Sequence, residues 1–161
     1  MVHLVTGNLF DSEAQTLVNA VNCAGVMGKG IALAFKRRFP EMFADYAARC
    51  QRGEVRLGEP YLYRGAALPW ILNFPTKRHW RPASRLEDII AGLACLEAHY
   101  RTWGITSLAV PALGCGAGQL DWNAVRPVLY DALSQLDTPS NCMRPPKALN
   151  QRRPPRPSAG R

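Results

Sequence analysis

The sequence predicts an α/β domain with a largely parallel central sheet. Three observations carry that prediction: short apolar runs alternate with amphipathic stretches, two of the runs lead into glycine-spaced turns, and each turn leads into a helix. Elements in that order place a ligand at the carboxyl ends of the strands. The runs at 4–7 and 17–21 read as short buried strands around a connecting turn at 11–15. A helix begins near 28–30 and must stop before Pro40, which opens a second helix carrying Phe43, Tyr46 and Cys50 on one face. Residues 61–63 and 70–74 read as strands separated by a turn at Gly65. The clearest helix follows, with Ser84 and Glu87 as a capping box and apolar spacing from Leu86 through Ile89, Ile90, Leu93, Leu96 and Tyr100 to Trp103, ending at Gly104. Residues 107–111 form the next strand, and after the second glycine turn a helix runs to about Leu136. Asp121 is its expected cap, and Pro127 forces a late start or a kink. No β-branched run follows Asp137, so the sheet is expected to lack its last strand. The domain is expected over 1–138, with 139–161 a Pro/Arg-rich disordered tail.

At 161 residues the chain is long enough to bury a core in one domain without staples. Its five cysteines are scattered, with no C-x-x-C pair, and its three histidines show no i, i+4 spacing. Neither a metal site nor a disulfide framework is expected, and a reducing cytoplasm fits best. The first residues show no basic-then-apolar leader, and no apolar run approaches the roughly 20 residues of a membrane helix, so a soluble protein without a membrane partner is expected. The net charge of +8 is concentrated at the end, where 139–161 hold six basic residues and no acidic one, leaving the rest nearly neutral. Such a tail could aid capture of DNA electrostatically, but a solvated terminus is the plainer reading.

The most telling stretch is NAVNCAGVMGKGIALAF at 19–35, which joins the amides of Asn19 and Asn22 to a turn with glycines at Gly25, Gly28 and Gly30. Glycines allow positive φ and close backbone approach, while the following helix offers unpaired N–H groups and a positive dipole end. A second such turn spans 114–118 in PALGCGAG, and two of them suggest a diphosphate ligand. No G-x-G-x-x-G follows the first strand and no G-x-x-x-x-G-K-[ST] occurs, which argues against dinucleotide-fold and P-loop chemistry. Lys77, in a loop-like PTKRHW segment, can reach a ligand's reacting carbon. A neutral amine there would be promoted by partial burial and by neighbouring cations such as Arg78. His79, Trp80, Arg81 and Arg85 follow, one aromatic among cations, where a nucleotide strand could stack; Trp80 packed on the domain with solvated arginines is the alternative. Lys36, Arg37 and Arg38 read as a helix C-terminal charge cluster.

These residues also carry a resemblance. GNLF at 7–10, VNAVNCAGVMGKGIALAFKRRFPEMF at 18–43 and AVPALGCGAGQLDW at 109–122 resemble the macrodomain family, which binds ADP-ribose, over about residues 1–138. Within it, NFPTKRHWR at 73–81 and the unbroken MGKGIALAFKRRFPEMF resemble the DarG-type branch, antitoxins that remove ADP-ribose from thymidine in single-stranded DNA. The resemblance implies a three-layer αβα sandwich, a hydrolase without cofactor or metal, and ADP-ribosylated single-stranded DNA as substrate. A DarT-type toxin would be its counterpart, and the protein would be a monomer. It places ADP-ribose against Asn8, Leu9, Asn22, Gly25, Val26 and Met27, then Gly28, Gly30 and Ile31. From the second turn it adds Pro111, Leu113, Gly114, Cys115, Gly116, Ala117 and Gly118. Asn22 would hold the distal ribose, and Lys77 would either attack its C1″ or assist the departing base by charge. His79, Trp80 and Arg81 would meet the DNA.

Two departures stand out. Asn8 occupies the position where many macrodomains carry an aspartate that contacts adenine, and its amide oxygen can still accept that bond. Lysine-dependent relatives acting on protein glutamate pair the lysine with an aspartate in the second glycine loop, whereas GCGAGQL has none before Asp121. That absence argues against a glutamate-linked substrate. The alternatives are a non-catalytic ADP-ribose reader and a hydrolase of ADP-ribosylated protein or of O-acyl-ADP-ribose.

Overall fold

A computed structural model describes residues 1–145 of the chain. In chain order it comprises β1 (Val2–Val5), a 3-10 turn (Leu9–Asp11), β2 (Thr16–Asn22), α1 (Gly30–Arg38), α2 (Pro40–Gln51), β3 (Tyr61–Tyr63), β4 (Trp70–Lys77), α3 (Leu86–His99), β5 (Leu108–Val110), α4 (Trp122–Ser134) and β6 (Ser140–Met143). The six strands form one sheet in the order β1-β6-β5-β2-β4-β3. Every neighbouring pair is parallel except β3 and β4.

Strand alternation sorts the core onto the two faces of this sheet. Val18, Leu72, Phe74, Leu108, Val110 and Cys142 point to one side and pack with Ile89, Leu93 and Leu96 of α3 and Val125, Leu129 and Leu133 of α4. Leu17, Val21, Ile71, Ala109 and Met143 point to the other and pack with Phe35 of α1 and Met42 and Tyr46 of α2. The result is the expected three-layer αβα sandwich with a mixed, largely parallel sheet.

Several local expectations need correction. The sheet is not a strand short: β6 lies inside the stretch expected to be tail and pairs with β1 on one side and β5 on the other. Its sequence, SNCM, has no β-branched residue; two parallel neighbours, not propensity, hold it extended. The expected disorder of 146–161 lies outside the described residues. The capping box does not form. Arg85 is the N-cap of α3 without a side-chain cap bond, Glu87 pairs with Arg85, and the Ser84 hydroxyl is buried without a partner. Ser84 instead donates its backbone N–H to Gly118 O at 2.8 Å, which ties it to the second glycine turn. Asp121 does cap α4, its Oδ1 accepting from Asn123 N at 3.0 Å, and α4 runs through Pro127 without a late start. Helix α3 ends at His99, five residues before Gly104, and β4 extends to Lys77.

Candidate functional site

All five parallel strands point their carboxyl ends at one rim of the sheet, and a cavity of about 530 Å³ opens there. That is ample for a nucleotide-sized ligand. One wall is the start of α1, from Gly28 to Ala32. It faces the cavity with the N–H groups of a helix first turn, and Lys29 as N-cap makes no side-chain cap bond. The opposite wall is the turn from Gly114 to Gly118. Within it the N–H groups of Gly116, Ala117 and Gly118 make no hydrogen bond among the described residues. Gly114 has φ +75°, and a Cβ on Gly118 would meet Ser84 Oγ at 2.3 Å and Gly114 O at 2.6 Å. Only glycine at 118 allows this turn to close on Ser84. Of the first turn's glycines, Gly25 and Gly30 have positive φ, 84° and 56°, but Gly28 does not.

Among the described residues no carboxylate lines the cavity, whereas Lys29, Lys77 and Arg144 do. Two sets of free amide donors and three cations facing each other suit an anionic, phosphate-bearing ligand. Cys115 also lines it; burial, with Asp121 adding to it, pushes its thiol up to about 11, so it stays protonated at neutral pH.

Asn22 and Lys77 end β2 and β4, and a register shift after Val21 brings them opposite each other. Asn22 clamps the first turn. Its Nδ2 donates to Val26 O at 2.8 Å, and its Oδ1 accepts from Ala24 N at 3.0 Å. The Tyr46 hydroxyl, fully buried, shares its one proton between Asn22 O and Oδ1, each 2.8 Å away. One Nδ2 hydrogen of Asn22 remains free of these contacts. Lys77 is 9% exposed and its Nζ donates to Trp80 O at 3.0 Å and Ala117 O at 3.3 Å, bridging the loop after β4 to the second glycine turn. Burial first, then the nearby Lys29 charge, holds its ammonium below the usual lysine range. Lys29 is the repelling cation, not Arg78 as the sequence suggested.

The cavity brings together Leu9, Asn22, Val26, Gly28, Gly30, Ile31, Lys77, Trp80, Pro111, Gly114, Cys115, Gly116, Ala117 and Gly118. It leaves out others. Met27 and Leu113 are core residues, 1% and 0% exposed, and Gly25 packs against Cys50 beneath the turn. Asn8 caps the 3-10 turn, its Oδ1 accepting from Phe10 N at 3.0 Å. Asn19, whose amide precedes the first glycine turn in sequence, is buried and donates to Asn73 Oδ1. Trp80 is half exposed at the rim with the Arg81 guanidinium 4.4 Å from its ring centroid, while His79 lines a smaller neighbouring cleft. The sequence reading missed Gly7, Thr76 and the trio Met143, Arg144 and Pro145. The trio was hidden because 139–161 was read as tail, and the sequence of β6 carries no local strand signal that would have shown it.

This arrangement is shared. The Macro domain family matches residues 18–129, and the chain belongs to that family. A Mycobacterium tuberculosis protein named DNA ADP-ribosyl glycohydrolase is 47% identical over 149 residues, which are 91% of this chain and 42% of that protein. The chain therefore spans less than half the length of this curated relative. The solved macrodomain of Mycobacterium tuberculosis DarG superposes with a TM-score of 0.88 at 47% identity, covering 91% of this chain and 99% of that one. The Thermosipho africanus DarTG structure in complex with ADP-ribose gives 0.85 at 39% identity, covering 94% of this chain and 43% of that one.

Proposed function

We propose that this domain removes ADP-ribose from thymidine bases in single-stranded DNA, reversing a DarT-type toxin. The observation that carries the proposal is the buried Lys77 at the end of a cavity that, among the described residues, no carboxylate lines and whose two walls present unpaired backbone donors. The identities of 47% and 42% to relatives named DNA ADP-ribosyl glycohydrolase support the same reaction.

In this reading the diphosphate lies between the first turn of α1 and the 114–118 turn, balanced by Lys29. The adenosine end extends toward Gly7, Leu9 and Arg144, and Asn8 remains at its edge as a turn cap. The distal ribose sits against the free Nδ2 hydrogen of Asn22, with its C1″ toward Lys77. The neutral Lys77 amine attacks C1″ as the bond to the base nitrogen breaks, and the departing base takes up a proton. Water then cleaves the lysine–C1″ bond, returning the free amine and ADP-ribose. The exposed Trp80, flanked by Arg81 and His79, offers the base a stacking surface at the rim.

The test compares the parent with Lys77→Ala on an ADP-ribosylated, thymidine-containing single-stranded oligonucleotide. The expected result is release of free ADP-ribose by the parent, a drop of at least a hundredfold in the variant, and retained ADP-ribose binding in both. The Lys77 bonds to Trp80 O and Ala117 O favour a second reading, in which this side chain only braces the loops of a non-catalytic ADP-ribose reader. A parent that binds ADP-ribose and releases none would establish that reading.

A further inference from the structure

Beyond Lys77 lies a second cleft of about 350 Å³, separated from the first cavity by Thr76 and Lys77, which line both. Its other polar walls are Arg78, His79, Arg85 and Asp88. Among the described residues Arg78 makes no ion pair, and Arg85 makes one, to Glu87 at 2.9 Å with both side chains 73% exposed. A pair so exposed is weak and readily exchanged for a better anion. The cleft thus holds two available guanidiniums against one carboxylate, next to the residue expected to face the scissile bond. Arginine recognises phosphate groups through a planar fork of donors.

We infer that this cleft takes a phosphodiester of the nucleotide adjoining the modified thymidine, through Arg78 and Arg85. The inference rests on the glycohydrolase reading and goes further, because it makes the neighbouring backbone part of substrate recognition. A modified base emerging beside Lys77 has its strand continuing on either side. The first cavity is filled by ADP-ribose, and the cleft is the adjoining concave surface with cations to meet the strand. Asp88 sets the limit: it favours one phosphodiester over a dense run of them.

The experiment measures kcat/KM on two substrates, an ADP-ribosylated oligonucleotide and ADP-ribosylated thymidine nucleoside, for the parent, Arg78→Gln, Arg78→Gln/Arg85→Gln and Asp88→Asn. The ratio of oligonucleotide to nucleoside should fall roughly tenfold in Arg78→Gln, the loss expected for one charge-assisted contact, and further in the double variant. It should rise in Asp88→Asn. Nucleoside turnover and ADP-ribose binding should stay at parental values, and the salt dependence of the oligonucleotide reaction should flatten by about 0.7 per lost phosphate contact. Arginine variants that keep the parental ratio and salt slope would overturn the inference. Turnover lost equally on both substrates would also overturn it, assigning the arginines to folding or to chemistry. A parent that binds ADP-ribose yet cleaves neither substrate would instead overturn the glycohydrolase reading on which this one stands.

Discussion

The Lys77 ammonium is held at once by two carbonyls that favour its charge and by burial and Lys29 that oppose it, with the net shift downward. A lowered pKa means the free amine is present at lower pH than for an exposed lysine. If, as proposed, the neutral form attacks, turnover should rise with pH through that lowered value and level off above it. Lys29→Gln, which removes the repelling charge, should move the rise to higher pH. A pH–rate profile of both proteins checks this; a rate that falls as Lys77 loses its proton would assign the residue an electrostatic role instead. Asn22 offers a second test. Burial pushes the Tyr46 hydroxyl above the ordinary tyrosine range, so it remains a donor to Asn22 at any working pH. Tyr46→Phe deletes that proton and leaves the turn clamp one donor short. It should lower stability by about 1–2 kcal/mol in urea titration, and weaken ADP-ribose binding severalfold in calorimetry.

At the scale of elements, packing decided what local pattern left open. The start of α2 at Pro40, the Asp121 cap and all of β3 were legible because each depends on a neighbour or two in sequence. The Ser84–Glu87 pair had the same local signature and failed, since Ser84 is drawn to Gly118, more than thirty residues away. The first glycine turn, the second and Lys77 were likewise readable as motifs, but no motif says that Asn19 turns into the core or that Arg144 returns to the cavity rim. Those outcomes depend on strand register. Gly92 shows a further constraint invisible in the sequence: α3 lies so close to β4 that a Cβ there would meet the Phe74 ring at 2.3 Å. Gly92→Ala improves helix propensity by about 1 kcal/mol, yet overpacking of this contact typically costs about 1–3 kcal/mol. The variant should therefore lower the thermal midpoint, and Gly92→Ala/Phe74→Leu should recover part of the loss.

For the molecule as a whole, the sheet order has a consequence that the element list conceals. Among the described residues β6 is the last strand yet lies inside the sheet, and β1 has no partner except β6. A chain cut after Thr138 would therefore lose both strands from the sheet, together with Met143, Arg144 and Pro145 from the cavity wall. Such a truncation should fail to unfold cooperatively in circular dichroism and should not bind ADP-ribose, whereas an ordinary frayed end would leave both intact. Time enters here as well. On a ribosome, β1 must wait until every element from β2 to α4 has been made before the strand that seats it emerges, with β5 meanwhile standing as a raw edge open to any extended segment nearby. Closing that gap is the longest-range pairing in the described sheet, so the pace of this domain's folding should be set there, when SNCM docks on β5 and seats β1 beside it.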